Sequence, residues 1–341
     1  MEVKEFAPNE ATGQKTSDFK DELTDEVRLD SLDTSIIEEK EFAEKTFSKL
    51  IEAVKERYTS PASTLAKNPE QLREYLLHNE EIIDLCIKRG IEKGMSEKDL
   101  RLLEISAILH DIAKADTPES VVKRKNLPKG SESVSNLVLA MHHNLATDET
   151  DTLLKKNPEI LKHVLGDNYS EKEAAIATDV IKNAIRSHMG PHPGFMDFVL
   201  AGVNKELAKM GAGQIEHPFP EKGDSVSETL LAADMRSLAG RQGRKKVLSI
   251  RKVVPIFVSQ DLALVEKYKA VGIDLKQGEA ALLSGFDSAV QARNMLPDKG
   301  DREWLDRAID ESKVEPYNFG DEKITFDEAI RKREQFEELN K

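Results

Sequence analysis

One cysteine, one tryptophan and an aromatic content of 5% are what this 341-residue chain has least of. The lone Cys86 rules out an internal disulfide and any cysteine-rich zinc site, and so few thiols fit a reducing compartment, the cytoplasm. Set among Ile83, Leu85 and Ile87, that thiol reads as core packing rather than as a nucleophile. No apolar run approaches the ~18 residues that a membrane span needs. The opening MEVKEFAPNEATGQK has no basic start followed by an apolar block, so no secretory signal is expected. A glycine-rich phosphate loop, an internal repeat and sustained heptads are also missing. Positive charge is in short supply too: 50 Lys and Arg stand against 63 Asp and Glu, for a net charge of −13. Long nucleic acids are held by many Lys and Arg contacts to phosphate, so they are poor partners for such a chain. Small phosphorylated ligands stay open, because they need only a local basic pocket.

Glu, Lys, Leu and Ala dominate instead, with 33% charged and 39% hydrophobic residues, which predicts a soluble all-α protein. The length suffices for one large or two modest domains without covalent staples. Residues 1–45 hold 14 acidic and 6 basic side chains and little apolar patterning, so disorder is expected over residues 1–40. From Glu41 the spacing of Phe42, Phe47, Leu50, Ile51 and Val54 gives one amphipathic helical face. A Pro-bearing break, SPASTLAKNP, precedes a second helix with Leu76, Ile83 and Ile87 in register. Ser96, with Asp99 three residues on, opens SEKDLRLLEISAILHDIAK. That helix is expected to end near Lys114, ahead of Pro118. Helices are also predicted in SVSNLVLAMHHNLAT, EKEAAIATDVIKNAIRSH, GFMDFVLAGVNKELAKMG and SVSETLLAADMRSLAG. Beyond residue 250, VVPIFVS reads as a short strand or a buried turn, followed by mostly helical chain to the end. The expected division is an acidic segment over 1–40, a helical domain over 41–250 and a C-terminal extension over 251–341.

Chemistry concentrates in the histidines, of which there are eight. His78 lies in the second helix, and His110 with Asp111 closes the third. His142 and His143 fall near the end of the next, His188 at the end of the one after, and His192 in the Gly/Pro loop that follows. Each alone could be a satisfied core or helix-end histidine. Asp234 is harder to place that way, because a carboxylate after Leu230, Leu231, Ala232 and Ala233 is buried and costly unless a cation meets it. One metal site accounts for all of them at once. Imidazoles and carboxylates in a helical bundle suit Fe, Mn, Zn or Co better than Mg, and Ala232 and Ala233 allow close helix approach.

The set His78, His110-Asp111 and Asp234 resembles the H…HD…D signature of the HD-domain metal-dependent phosphohydrolases, over roughly residues 70–250. ILHDIAK is similar to a segment typical of that superfamily. AIRSHMG resembles the branch with bacterial symmetrical dinucleoside tetraphosphate hydrolases, whereas LLAADMRSLAGRQGRKK looks like the HD domains of Y-type ribonucleases. The resemblance implies an HD-type helical bundle in which His78, His110, Asp111 and Asp234 hold a first metal. Asp111 would bridge to a second ion held by His188 and one of His142 or His143, with His163 a rival for the third histidine; otherwise the site is mononuclear. Lys114 matches the family's HDxxK lysine, implying a catalytic role beside Asp111 and contact with substrate phosphate; read alone, it could be a solvated lysine.

A divalent ion in such a site makes water a competent nucleophile near neutral pH, and a transferring phosphate needs cations where charge develops. Residues 235–252 carry Arg236, Arg241, Arg244, Lys245, Lys246, Arg251 and Lys252 with no acidic residue. Arg236 and Arg241, nearest Asp234, are the expected phosphate contacts, unless the stretch is a solvated basic face. The expected function is hydrolysis of a phosphoester or phosphoanhydride of a nucleotide or dinucleotide. The alternatives are a ribonuclease or phosphodiesterase on longer nucleic acid, and a metal-stabilised nucleotide-binding regulatory domain without turnover. Oligomeric state is left open.

Overall fold

The computed structural model describes residues 34–190, 195–253, 255–314 and 316–341. Among these, fifteen α-helices and one two-stranded ribbon make an all-α protein. The N-terminal stretch expected to be disordered lies outside the described residues up to position 33, and α1 (Thr34–Thr46) begins before Glu41. Its polar face is what ties it down. Arg101 pairs with Glu39 and Glu104 and lies 3.7 Å over the Phe42 ring, while Lys40 reaches Asp84 at 2.7 Å. Helix α2 (Ser48–Thr59) buries Leu50, Val54 and Tyr58.

After a short 3₁₀ turn over Leu65–Lys67, Asn68 caps α3 (Pro69–Glu92) by accepting from the Gln71 amide at 3.2 Å. Pro69 opens that helix, where its missing N–H costs nothing. Ser96 caps α4 (Glu97–Leu109) through the Asp99 amide, as its spacing predicts. The α geometry stops at Leu109, short of the expected Lys114, and a 3₁₀ turn over Ile112–Ala115 follows. Next come α5 (Pro118–Lys125), α6 (Leu137–Lys156) and α7 (Glu159–Leu165). Helix α6 runs well past His142 and His143, so they sit in its first half rather than near its end. A reciprocal Ser170/Glu173 box opens α8 (Glu171–Ser187), and α9 (Phe195–Lys209) follows it.

Helix α10 (Ser225–Ala239) is the axis of the fold. Every residue from Val226 to Met235 is buried, as expected for a helix apolar nearly all round. It packs on α3, α4 and α8. Beyond it run α11 (Arg241–Val253), α12 (Pro255–Lys269), α13 (Gln277–Met295) and α14 (Lys299–Glu311). A ribbon of β1 (Tyr317–Phe319) and β2 (Glu322–Ile324), with Tyr317 opposite Ile324, leads into α15 (Phe326–Leu339). Among the described residues of VVPIFVS there is neither strand nor turn: Val253 ends α11 and Pro255 is the first residue of α12, whose φ proline presets.

The C-terminal helices share the main core. Trp304, Leu305, Ala308 and Ile309 of α14 join Ile105 and Leu230 in one apolar cluster. Buried Asp301 fastens the same helix to α3 through Arg89 at 2.6 Å and Lys93 at 3.0 Å. Two smaller cores, around Leu282 with Phe326 and around Leu283 with Ala329, bind the last helices together. Among the described residues no helix is long and apolar enough to cross a membrane.

Candidate metal centre

Adjacent residues on an α-helix point about 100° apart, so within a continuous helix the His110 and Asp111 side chains would diverge. The chain leaves α geometry between them. His110 keeps helical angles as the C-cap of α4, whereas Asp111 sits at φ −107°, ψ 4°. Both side chains are then free to face one centre, with His110 Nε2 3.4 Å from Asp111 Oδ2. The carbonyls exposed by the break are satisfied locally. Asn79 donates to Ile108 O at 3.1 Å, and the buried Tyr58 hydroxyl donates to Asp111 O at 3.0 Å.

Around Asp111 the bundle brings together side chains from five helices. Its Oδ2 lies 3.7 Å from His78 Nε2 of α3, besides His110. Its Oδ1 lies 3.2 Å from His142 Nε2 of α6 and 3.5 Å from His188 Nε2, the C-cap of α8. Asp234 of α10 also approaches His78, its Oδ1 3.3 Å from the same Nε2. Two overlapping donor groups result, His78/His110/Asp111 and Asp111/His142/His188. All are buried, and within each group the donor atoms lie within 4.8 Å of one another.

The imidazole tautomers are set by the backbone. Nδ1 of His110, His142 and His188 meets the carbonyl three residues earlier: Ala107 at 2.7 Å, Leu139 at 2.6 Å and Ile185 at 2.5 Å. A carbonyl only accepts, so each Nδ1 carries the proton and each neutral Nε2 presents a lone pair to the centre. At His78 the Nδ1 faces Ser237 Oγ at 3.5 Å, whose own proton goes to Asp234 O. Lone pairs therefore confront one another: His142 Nε2 stands 3.3 Å from His188 Nε2 and 3.2 Å from a carboxylate oxygen. His110 Nε2 and Asp111 Oδ1 are buried without a hydrogen bond. Such an arrangement is repulsive until a cation enters, and Nδ1 held by a carbonyl is the usual outer support of a metal-bound histidine. The donor set fits a divalent metal ion.

Charge states agree at His142 and His78, whereas Asp111 favours a second proton on His110. Burial lowers the His142 pKa to about 4, helped by Lys114, and burial followed by Lys246 does the same to His78. Burial opposes charge on His110 as well, but Asp111 outweighs it and raises that pKa. Burial also opposes ionisation of Asp111 and Asp234, yet His110 and Lys114 beside Asp111, and His78 beside Asp234, hold both carboxyls well below the usual range. At neutral pH the centre therefore combines two carboxylates with at least two neutral imidazoles, ready for a cation.

Other sequence candidates fall elsewhere. His143 is buried but turned away, its Nε2 donating to Glu216 O at 3.2 Å and its ring 4.5 Å from His217. His217 in turn donates to Ala140 O at 3.0 Å, so the two rings pin the 210–224 loop to α6. His163 is exposed on α7, and His192 lies outside the described residues. Lys114 is not a solvated helix end: the 3₁₀ turn folds its Nζ onto Asp111 Oδ2 at 2.5 Å.

The basic stretch divides. Arg236 donates to Trp304 O and lies 4.6 Å from the Trp304 ring centroid, which makes it a packing residue rather than the expected phosphate contact. Arg244 is buried, and Arg251 forms a buried pair with Asp261 at 2.5 Å. Arg241 is exposed at the start of α11. Lys246 is the member that reaches the centre, with Nζ 5.3 Å from the Tyr75 ring centroid. Tyr75 and Glu81 flank His78 by one turn of α3 on either side, an i±3 spacing that marks both as neighbours of the site. Burial raises the Glu81 carboxyl pKa to about 7 against the pull of Lys246. Comparison with protein-family models, curated proteins and solved structures finds no match for the chain.

Proposed function

We propose that this chain is a metal-dependent phosphohydrolase of the HD-domain type, acting on a phosphoester or phosphoanhydride of a nucleotide or dinucleotide. The observation that carries the proposal is Asp111, a buried carboxylate whose two oxygens each face two imidazole Nε2 atoms. Asp111 belongs to both donor groups, so His78, His110, Asp111 and Asp234 would hold one ion, and Asp111 with His142 and His188 would hold a second. A nitrogen-rich donor set of this kind suits Fe, Mn, Zn or Co.

When bound, a divalent ion supplies Lewis acidity toward a phosphoryl oxygen and a water nucleophile at neutral pH. The rest falls to the protein. Ala107, Leu139 and Ile185 keep the imidazoles in the tautomer that presents Nε2. Asp111 anchors the Lys114 ammonium beside the centre, where developing phosphate charge would need it. Burial of the cluster in the bundle limits competing water and strengthens each of these interactions.

The long-nucleic-acid alternative loses support, because Arg236, Arg244 and Arg251 are spent on internal contacts rather than on a continuous basic surface. The deciding experiment is a screen of mononucleotides, dinucleoside polyphosphates, cyclic dinucleotides and short RNA with Mn or Fe(II), using protein purified without chelator. Turnover of a small nucleotide supports the proposal. Turnover of RNA alone points to the ribonuclease reading, and binding without turnover of any of them points to a regulatory domain.

A further inference from the structure

Lys246 presents a problem that the metal centre alone does not solve. Its side chain is half-buried on α11, where burial works against its charge, and it makes neither a hydrogen bond nor an ion pair among the described residues. Burying an ammonium without a partner is costly. A second ammonium makes matters worse: Lys114 and Lys246 both stand 5.3 Å from the centroid of the Tyr75 ring. The two cations are thus no farther apart than twice that distance, with one aromatic ring shared between them.

Acidic groups near Lys246 are Asp111, Asp234, Glu74 and Glu81. Asp111 is already engaged by Lys114, and Asp111 and Asp234 are the carboxylates assigned to the ion. Once a divalent cation is present, their charge is neutralised and both ammonium groups are left in excess. Tyr75 offers a π face, which tolerates a cation without neutralising it. The missing partner has to come from solution, and it has to be an anion that meets both ammonium groups beside the Tyr75 ring.

On the reading of the site as a phosphohydrolase, we infer that Lys114 and Lys246 form a two-point anion clamp and that Lys246 receives a second phosphoryl group, adjacent to the one under attack. The substrate class is then a phosphoanhydride, a nucleotide carrying at least two linked phosphoryl groups, rather than a phosphomonoester. Lys246 acts as a binding and specificity residue that holds the unreactive phosphoryl group, while Lys114 serves the reacting one.

Isothermal titration of the Mn-loaded full chain with methylenediphosphonate and with orthophosphate tests this without any need for turnover. The wild type is expected to prefer the linked diphosphonate. Lys246→Gln should reduce that preference at least about tenfold, the loss expected for one charge-assisted contact, and Lys246→Arg should restore much of it. No preference in the wild type, or an unchanged preference in Lys246→Gln chains that melt as the wild type does, overturns the clamp. The two proposals fail separately. A wild type that hydrolyses no phosphate compound but keeps the Lys246-dependent preference refutes the hydrolase reading and supports the clamp. Turnover combined with an unchanged preference in Lys246→Gln refutes the clamp alone.

Discussion

Replacement of His142 by Asn should change how the metal-free protein responds to acid. In the unfolded chain this imidazole titrates at its ordinary value of 6.5. In the folded chain burial, with Lys114 adding to it, holds the pKa near 4. Between those values the unfolded state binds a proton that the folded state refuses, so the His142 contribution to stability is present above pH 6.5 and is lost as pH falls toward 4. Each pH unit in the window contributes about 1.4 kcal/mol, and the whole window about 3 kcal/mol. His142 is fully buried, so solvent screening removes little of this. Asn lacks the titration, and His142→Asn should therefore gain about 3 kcal/mol relative to the wild type between pH 7 and pH 4. Glu81 and Glu104, whose buried carboxyls titrate near 7, act in the opposite direction but are common to both chains and cancel in the difference. Urea unfolding in the presence of chelator, at half-unit pH steps, measures that difference. A stability gap between the two proteins that does not move with pH would refute the buried, neutral state of His142 and with it the tautomer argument.

Elemental analysis of protein purified without chelator should give about one or two equivalents of Fe, Mn, Zn or Co per chain; a folded chain with none removes the metal centre. Asp111→Asn should abolish turnover while circular dichroism stays helical, and retained turnover would sink the role assigned to Asp111. His142→Gln should weaken metal binding at least about tenfold. His143→Gln should instead leave metal content intact and speed amide exchange in the 210–224 loop. Trp304→Ala should cost about 3–5 kcal/mol in urea titrations, and Arg236→Met should lose stability through the same contact while leaving KM unchanged.

Residue type and spacing made the all-α class legible, along with the cap at Ser96 and the set His78, His110, Asp111 and Asp234. These signals are local, or depend on a buried carboxylate that needs a cation. The choice between His142 and His143 was not legible. The two are neighbours one residue apart on a buried helix, and only the rotation of α6 against Asp111 or against the 210–224 loop separates them. Arg236 was misjudged because proximity in sequence to Asp234 says nothing of direction, and α10 turns that side chain toward Trp304. Lys246, ten residues farther on, reaches the site because α11 folds back beside α10. The break after Leu109 was hidden by an apolar stripe that continues through Ile112 without a change of period.

His110 and His188 each cap the C-terminal end of a helix, α4 and α8, and both ends point at Asp111. A helix carries roughly half a negative charge at its C-terminus. Two such ends, added to two carboxylates, make the empty centre attract cations and repel phosphate. Binding is therefore expected to be ordered, with metal first and the anionic substrate second. Titration of the metal-free chain with methylenediphosphonate, before and after Mn is added, should show binding only in the second case.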